Sequence, residues 1–248
     1  MASTRPIILD HEPELGEVIS IFGSDYESLR SWSPRLGSAI TLTSPSKSYR
    51  ARVVTFDEKK ADLFVYEQMT GPAESSLEVV LLQALPDKER MELIIEKATE
   101  LGADVIVPWK ATRGIDLAQR EALQKKAHRF TERAKKAARQ CRRAKIPMIA
   151  PMTDLGSALK YGYVKEADLK VALWEKADKP LREVIGPASG VGSVCILVGP
   201  EGGLLEEEVE TAAAAGFIPA SFGARVLRTE TAAIISVALV QYVLGDLG

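Results

Sequence analysis

Cysteine and histidine are nearly absent from this sequence. Two cysteines, Cys141 and Cys195, cannot build a disulfide framework. Two histidines, His11 and His128, cannot build a His-rich metal site, no Cys-x-x-Cys occurs, and no metal centre is expected. No Ser-His-Asp or Cys-His catalytic set can be argued from two histidines so placed. Long apolar runs are missing too. The most apolar stretch, Ala232 to Val240, is far short of the roughly 20 residues that span a bilayer, which excludes an integral membrane protein. Near the N-terminus the apolar run Ile7-Ile8-Leu9 is too short for a signal-peptide core, so a reducing, cytoplasmic setting is expected. Neither G-x-G-x-x-G nor G-x-x-x-x-G-K-[ST] is present, which removes the dinucleotide fingerprint and the P-loop.

What is present is an ordinary globular composition, 46% hydrophobic and 27% charged over 248 residues, enough for one large or two modest domains. The net charge of −2 hides a concentration. Ten Lys/Arg lie between Lys125 and Lys145 against the single acid Glu132, which leaves the rest of the chain strongly acidic. Such a window suits either a polyanion-facing patch or a solvated helix face.

The chain has two textures. Short β-like runs at Glu17–Phe22, Ala39–Thr43, Tyr49–Asp57 and Ala61–Gln68 are separated by turn signals such as Ser44-Pro45-Ser46. Several short strands without a long helix predict a small barrel or compact sheet. Gly71-Pro72-Ala73-Glu74-Ser75-Ser76 reads as a linker. Beyond it, Leu77–Leu85, Leu169–Trp174 and Val194–Val198 read as buried strands, and Val105-Ile106-Val107 as a short strand closed by Pro108. Helical spacing appears at Met91–Leu101, Leu117–Arg143, Leu181–Ile185, Leu205–Ala215 and Thr229–Leu244. The alternation predicts an α/β domain with a mostly parallel sheet.

Three segments are candidates for chemistry. Gly199-Pro200-Glu201-Gly202-Gly203 follows a buried strand and precedes a helix, where α/β ligands sit, and its glycines allow close backbone approach. Glu206, Glu207 and Glu208 suit the helix start that follows, yet they would repel a phosphate there. Gly223 to Thr231 precedes the last helix, with Thr229 or Thr231 as N-cap and Arg225 and Arg228 three residues apart. That helix is apolar nearly all round, so it is either a core helix or a subunit interface. In the third segment Glu96 and Glu100 are one helical turn apart. Each segment also fits a purely structural reading, as turn, capped loop or solvated face.

The strings LVGPEGGLLEEEVETAAAAGF and FGARVLRTETAAIISVALVQYVLGDLG, with ERMELIIEKATELGADVIVPW and RQCRRAKIP, resemble the RsmE family of ribosomal RNA uridine-N3 methyltransferases in the SPOUT superfamily. The resemblance runs from about Leu77 to Gly248. It implies a PUA-like β-barrel over residues 1–72 that binds RNA, and a SPOUT methyltransferase domain with a deep trefoil knot over residues 73–248. It further implies a homodimer, no membrane association, and ribosomal RNA or the small ribosomal subunit as partner. S-adenosyl-L-methionine would be held by Leu173, by Val198 and Gly199 to Gly203 (Gly199, Pro200, Glu201, Gly202, Gly203), and by Phe222, Gly223, Val226, Leu227, Arg228 and Thr231. Glu201, Glu230 and Glu100 are the candidate bases for the uridine N3 proton, and Arg228 would offset the developing charge. Arg113, Arg133, Lys136, Arg139, Arg142, Arg143 and Arg225 would grip the RNA backbone. Two other readings remain: a SPOUT enzyme acting on another base or a ribose, and a non-catalytic ribosome-assembly protein that binds RNA.

Overall fold

The computed structural model describes residues 4–114, 128–186 and 190–248. It divides into two units. One comprises residues up to Glu74 together with Lys135–Pro147; the other comprises Ser75–Ala134 and Met148–Gly248.

In the first unit, β-branched and aromatic runs form β1 (Ile7–Ile8), β2 (Val18–Phe22), β3 (Ala39–Thr43), β4 (Ser48–Phe56) and β5 (Lys60–Gln68). They make one sheet in the order β1-β3-β4-β5-β2, parallel at β1–β3 and antiparallel elsewhere. The mixed alternation along β4 has a cause: a register shift between Arg50 and Ala51 turns both side chains inward, while Arg52 and Val54 stay outside. A nine-residue helix, α1 (Gly23–Ser31), stands where the sequence suggests only turns. It is short and weakly amphipathic, and its inward residues Tyr26, Ser28 and Leu29 are too few to set a visible period. Tyr26 stacks on Phe56 with centroids 5.4 Å apart. Trp32, just beyond the helix, is part of the core.

The segment Lys135–Pro147 belongs to this unit, whereas an expected boundary at residue 72 leaves it with the second domain. Ion pairing explains its place. The Arg143 side chain is only 5% exposed, and its Nε and Nη2 donate to the Glu74 carboxylate at 3.0 and 2.8 Å. Glu74 also accepts from the backbone N–H groups of Ala144 and Lys145. Arg142 donates to Glu67 at 2.8 Å, and its carbonyl accepts from the Thr41 hydroxyl.

The second unit holds an all-parallel sheet of seven strands: β6 (Glu78–Ala84), β7 (Val105–Lys110), β8 (Met148–Ile149), β9 (Thr153–Asp154), β10 (Leu169–Leu173), β11 (Ser193–Val198) and β12 (Ile218–Ala220). The order is β12-β10-β11-β6-β7-β8, with β9 beside β7. After its exposed first residue, every position of β6 is buried, as a central parallel strand covered on both faces requires. Pro108 does not close β7. It falls between the stretches paired with β8 and β9, where no outer neighbour demands an N–H.

The helices are α2 (Lys88–Glu100), α3 (His128–Gln140), the short α4 (Leu155–Ala158), α5 (Gly162–Lys165) and α6 (Leu181–Ile185), then α7 (Glu206–Ala214) and α8 (Thr229–Leu244). Asp87 caps α2 by accepting from the Arg90 N–H at 2.9 Å. The expected start of the long basic helix, Leu117 to Ala127 with Lys125 and Lys126, lies outside the described residues. Helix α8 is buried along one side and exposed along the other. Ala233, Ser236, Val237, Val240 and Gln241 are buried, while Ile235, Leu239, Tyr242 and Val243 form an exposed stripe. No helix of the described residues is long and apolar enough to cross a membrane.

The Arg143–Glu74 pair yields a stability prediction. Replacing Glu74 with Ala strips a buried guanidinium of its carboxylate and should cost about 3 kcal/mol or more. Glu67→Ala, at an exposed pair, should cost less than about 1 kcal/mol. Urea titration of the two variants measures the difference.

Candidate functional site

Strands β10, β11 and β12 end side by side, and the loops that leave them surround a cleft of about 270 Å³. This is the carboxyl edge of a parallel sheet, where α/β proteins bind ligands. Leu173, Trp174 and Glu175 line it from the end of β10, and Val198 to Leu204 from the end of β11. Ala220 to Gly223 and Arg225 to Leu227 close it from the end of β12, and Thr229 and Ala232 from the start of α8.

The glycines of the β11 loop are there for space and conformation. A Cβ on Gly199 would stand 2.9 Å from Leu204 Cγ, closer than side-chain carbons approach. Gly203 has φ +73°, and a Cβ there would crowd the Glu175 carboxylate at 3.2 Å. The loop is held at its far end by Glu208. Its carboxylate is buried and accepts from the N–H groups of Leu205 and Thr112, both at 2.9 Å. Of the three acids at this helix start, one is therefore spent on backbone capping.

A buried hydrogen-bond relay lies behind the cleft. Gln83, fully buried on β6, donates from Nε2 to the Ala84 carbonyl at 2.7 Å and to the Thr229 hydroxyl at 3.0 Å. The Thr229 hydroxyl in turn donates to the Gly199 carbonyl at 2.6 Å. Neither threonine is the N-cap of α8. That position is Arg228, which makes no side-chain cap, and Thr229 turns its hydroxyl to the relay instead.

The structure brings together most of the positions expected around the donor. Leu173, Val198, Gly199, Pro200, Glu201, Gly202, Gly203, Phe222, Gly223, Val226 and Leu227 all line the cleft; Arg228 and Thr231 do not. Trp174, Glu175, Leu204, Ala220, Ser221 and Ala232 also line it, and nothing in the sequence marks them. The glycine loops are the only signal there. Trp174 reads in sequence as a packing residue, although it ends the strand next to the Gly199 loop.

The acids are dispersed differently. Glu201 lines the cleft, and its Oε1 accepts from Arg90 Nη1 at 2.6 Å. Glu230 is largely enclosed, 13% exposed, with Oε2 3.6 Å from Arg90 Nε. Arg90 is held protonated more firmly than an ordinary arginine, first by its bond to Glu201 and then by the charge of Asp87. Glu100 is elsewhere. It ends α2, ten residues and about 15 Å of helix beyond Arg90, and is paired with Lys97 at 2.9 Å.

The basic residues also divide. Arg225 lines the cleft and is exposed, and Arg113 lies against Gly202. Arg133 pairs with Glu96 at 3.0 Å. In the other unit Lys136 is exposed, Arg139 reaches the Ser33 carbonyl at 3.3 Å, Arg142 is paired and Arg143 is buried. Arg143 is thus spent on the fold and is not a surface group.

The cleft is suited to a ligand with both polar and apolar parts. Leu173, Val198, Phe222, Val226 and Leu227 offer an apolar wall. Among the described residues the enclosed Trp174 indole N–H has no acceptor, a donor in need of a partner, and Glu175 and Glu201 supply carboxylates. S-adenosylmethionine, with its flat adenine, ribose hydroxyls and charged methionyl group, matches that set. Among the described residues no cluster of metal-ligating side chains occurs.

Comparison with known proteins agrees with this geometry. A family model described as "RNA methyltransferase domain" matches residues 73–241. The chain is 28% identical over 198 residues to Ribosomal RNA small subunit methyltransferase E of Bacillus subtilis, covering 78% of this chain and 77% of that protein. It is 30% identical over 186 residues to the protein of the same name from Mesomycoplasma hyopneumoniae, covering 75% and 78%. The crystal structure of a Ribosomal RNA small subunit methyltransferase E from Neisseria gonorrhoeae, bound to S-adenosyl methionine, superposes with a TM-score of 0.69 at 28% identity, covering 98% of this chain and 99% of that one.

The relay gives a test of the site's construction. Thr229→Val leaves the Gly199 carbonyl and one Gln83 N–H without their partner and should cost about 1–3 kcal/mol. Thr231→Val, outside the relay, should change stability by less than about 0.5 kcal/mol. Thermal melts of both variants check this, with a shift of roughly 2–4 °C expected per kcal/mol.

Proposed function

The chain belongs to the RsmE family of RNA methyltransferases, and we propose that it methylates N3 of a uridine in small-subunit ribosomal RNA, with S-adenosylmethionine as methyl donor. The observation that carries this reading is the cleft. Two glycine loops and the end of β10 enclose it at the carboxyl edge of a parallel sheet, and most of the expected donor positions line it.

The donor brings an electrophilic methyl group on a cationic sulfur. The protein's part is placement and proton handling. The Gly199–Gly203 and Phe222–Leu227 loops bring bare backbone to the donor, and the Trp174 N–H and the Glu175 carboxylate hold its polar ends. Bringing N3 and the methyl group into line is worth several kcal/mol of barrier. Glu201 takes the N3 proton. Arg90 occupies its Oε1, and among the described residues its Oε2 accepts no hydrogen bond, which leaves that oxygen for the substrate. General-base help of this kind contributes about two to four powers of ten. Glu230 and Glu100 stand outside the cleft lining and are poorer choices. Arg225 and Arg228, both exposed beside the cleft's second loop, are positioned to meet the RNA or the charge left on the uracil.

The knot belongs to this proposal, as do a PUA-like barrel built on the five-stranded sheet and a homodimer. The exposed stripe Ile235, Leu239, Tyr242 and Val243 on α8, with Val226 at 80% exposure, is apolar surface suited to a second copy of the chain. A ribosomal substrate also implies a cytoplasmic protein.

Calorimetry with S-adenosylmethionine, followed by mass spectrometry of ribosomal RNA incubated with both, tests the function. Heat of binding and one added methyl on a uracil are expected; no heat would favour a non-catalytic RNA-binding protein. The basic surface has its own test. Reversing Lys136 and Arg139 to Glu should leave donor affinity unchanged. It should also flatten the dependence of log RNA affinity on log salt by about 0.7 for each phosphate no longer neutralised.

A further inference from the structure

Three carboxylates converge on the guanidinium of Arg90. Asp87, the N-cap of α2, gives one oxygen to the Arg90 backbone N–H and brings the other within 3.1 Å of Nη1. Glu201, from the loop after β11, accepts from the same Nη1 at 2.6 Å. Glu230, from the first turn of α8, brings Oε2 within 3.6 Å of Nε. That Glu230 oxygen is enclosed and, among the described residues, accepts no hydrogen bond, so its compensation is the charge of Arg90 together with the positive end of α8. One cation thus stands among three anions contributed by three separate elements. Of the four groups only Glu201 lines the cleft, so Arg90 can reach the reaction only through it.

We propose that Arg90 is a positioning residue for methyl transfer: its guanidinium fixes the Glu201 carboxylate at the edge of the cleft and keeps it apart from Glu230. The role deepens, and rests on, the reading of the cleft as a methyl-donor site. Without the cation, Glu201 and Glu230 repel each other, so one must swing away or take up a proton more readily. Either outcome removes the anion of defined position that faces the substrate. Of the other charged side chains of the lining, Glu175 forms no ion pair with Arg90 among the described residues, and Arg225 is itself a cation. The acids that answer to its loss are therefore Asp87, Glu201 and Glu230.

The test is methylation of ribosomal RNA by the full chain across about pH 5–9, with S-adenosylmethionine affinity measured alongside. Arg90→Met should lower kcat about tenfold or more, shift donor affinity less than about threefold, and move the acidic limb of the pH–rate profile upward. Arg90→Lys keeps the charge but not the planar fork, so it should restore the limb and only part of the rate. Adding Arg90→Met to Glu201→Gln should cost little beyond Glu201→Gln alone, because Arg90 acts only through that carboxylate. An Arg90→Met protein with unchanged kcat and profile overturns the role of Arg90 alone. So does one that loses rate and melting temperature together while its profile stays put. A wild-type chain that binds no S-adenosylmethionine overturns the methyl-donor reading and this role with it.

Discussion

One hydroxyl group holds the cleft in register. Thr229 donates to the carbonyl of Gly199 and accepts from Gln83, thirty positions from the first in the chain and on a different element from the second. Gly199 opens the first glycine loop and Thr229 follows the second, so this bond sets how far apart the two walls stand. A hairpin could not bring them together. The chain between them runs out through α7 and returns as β12, a parallel partner of β10. Parallel crossovers bring distant loops to the same sheet edge, where buried polar groups must find one another or remain unsatisfied. The relay meets that demand at Thr229, while Gln83 Oε1 has no partner among the described residues.

The second unit is the more legible in sequence because its strands are covered on both faces. Such strands appear as unbroken apolar runs, and β6, β10 and β11 lie within a residue or two of the ends of those runs. Pro108 misleads because proline ordinarily terminates a strand, whereas the sheet has a gap in its outer neighbour at that point. In the first unit α1 escapes notice because nine residues that bury only three side chains carry almost no periodic signal. The cleft shows the same limit. Glycine announces a loop that approaches something, so Gly199 to Gly203 and Gly223 stand out. Trp174 and Glu175 end a strand and carry no local mark of what they face.

Charge is the least legible property. Ten cations in 21 positions read as one surface, because a count of charges does not see their partners. The structure distributes them. Arg133 meets Glu96, Arg142 meets Glu67 and Arg143 meets Glu74, acids 37 to 75 positions away in sequence. The first 74 residues carry eight Lys/Arg against eleven Asp/Glu, so the basic segment is in part the counter-charge of the unit it joins. Lys136 stays exposed on that segment, so the surface charge there is smaller than the count in the sequence.

That sharing has a consequence for how the protein is made. Glu74 leaves the ribosome long before its guanidinium, because Arg143 follows it by 69 positions. Domains usually fold in order as they emerge. Here the N-terminal sheet must wait, incompletely neutralised, while much of the next unit is synthesised. Its earliest strands therefore reach their final stability only once Arg143 has emerged, later than their own place in the chain suggests.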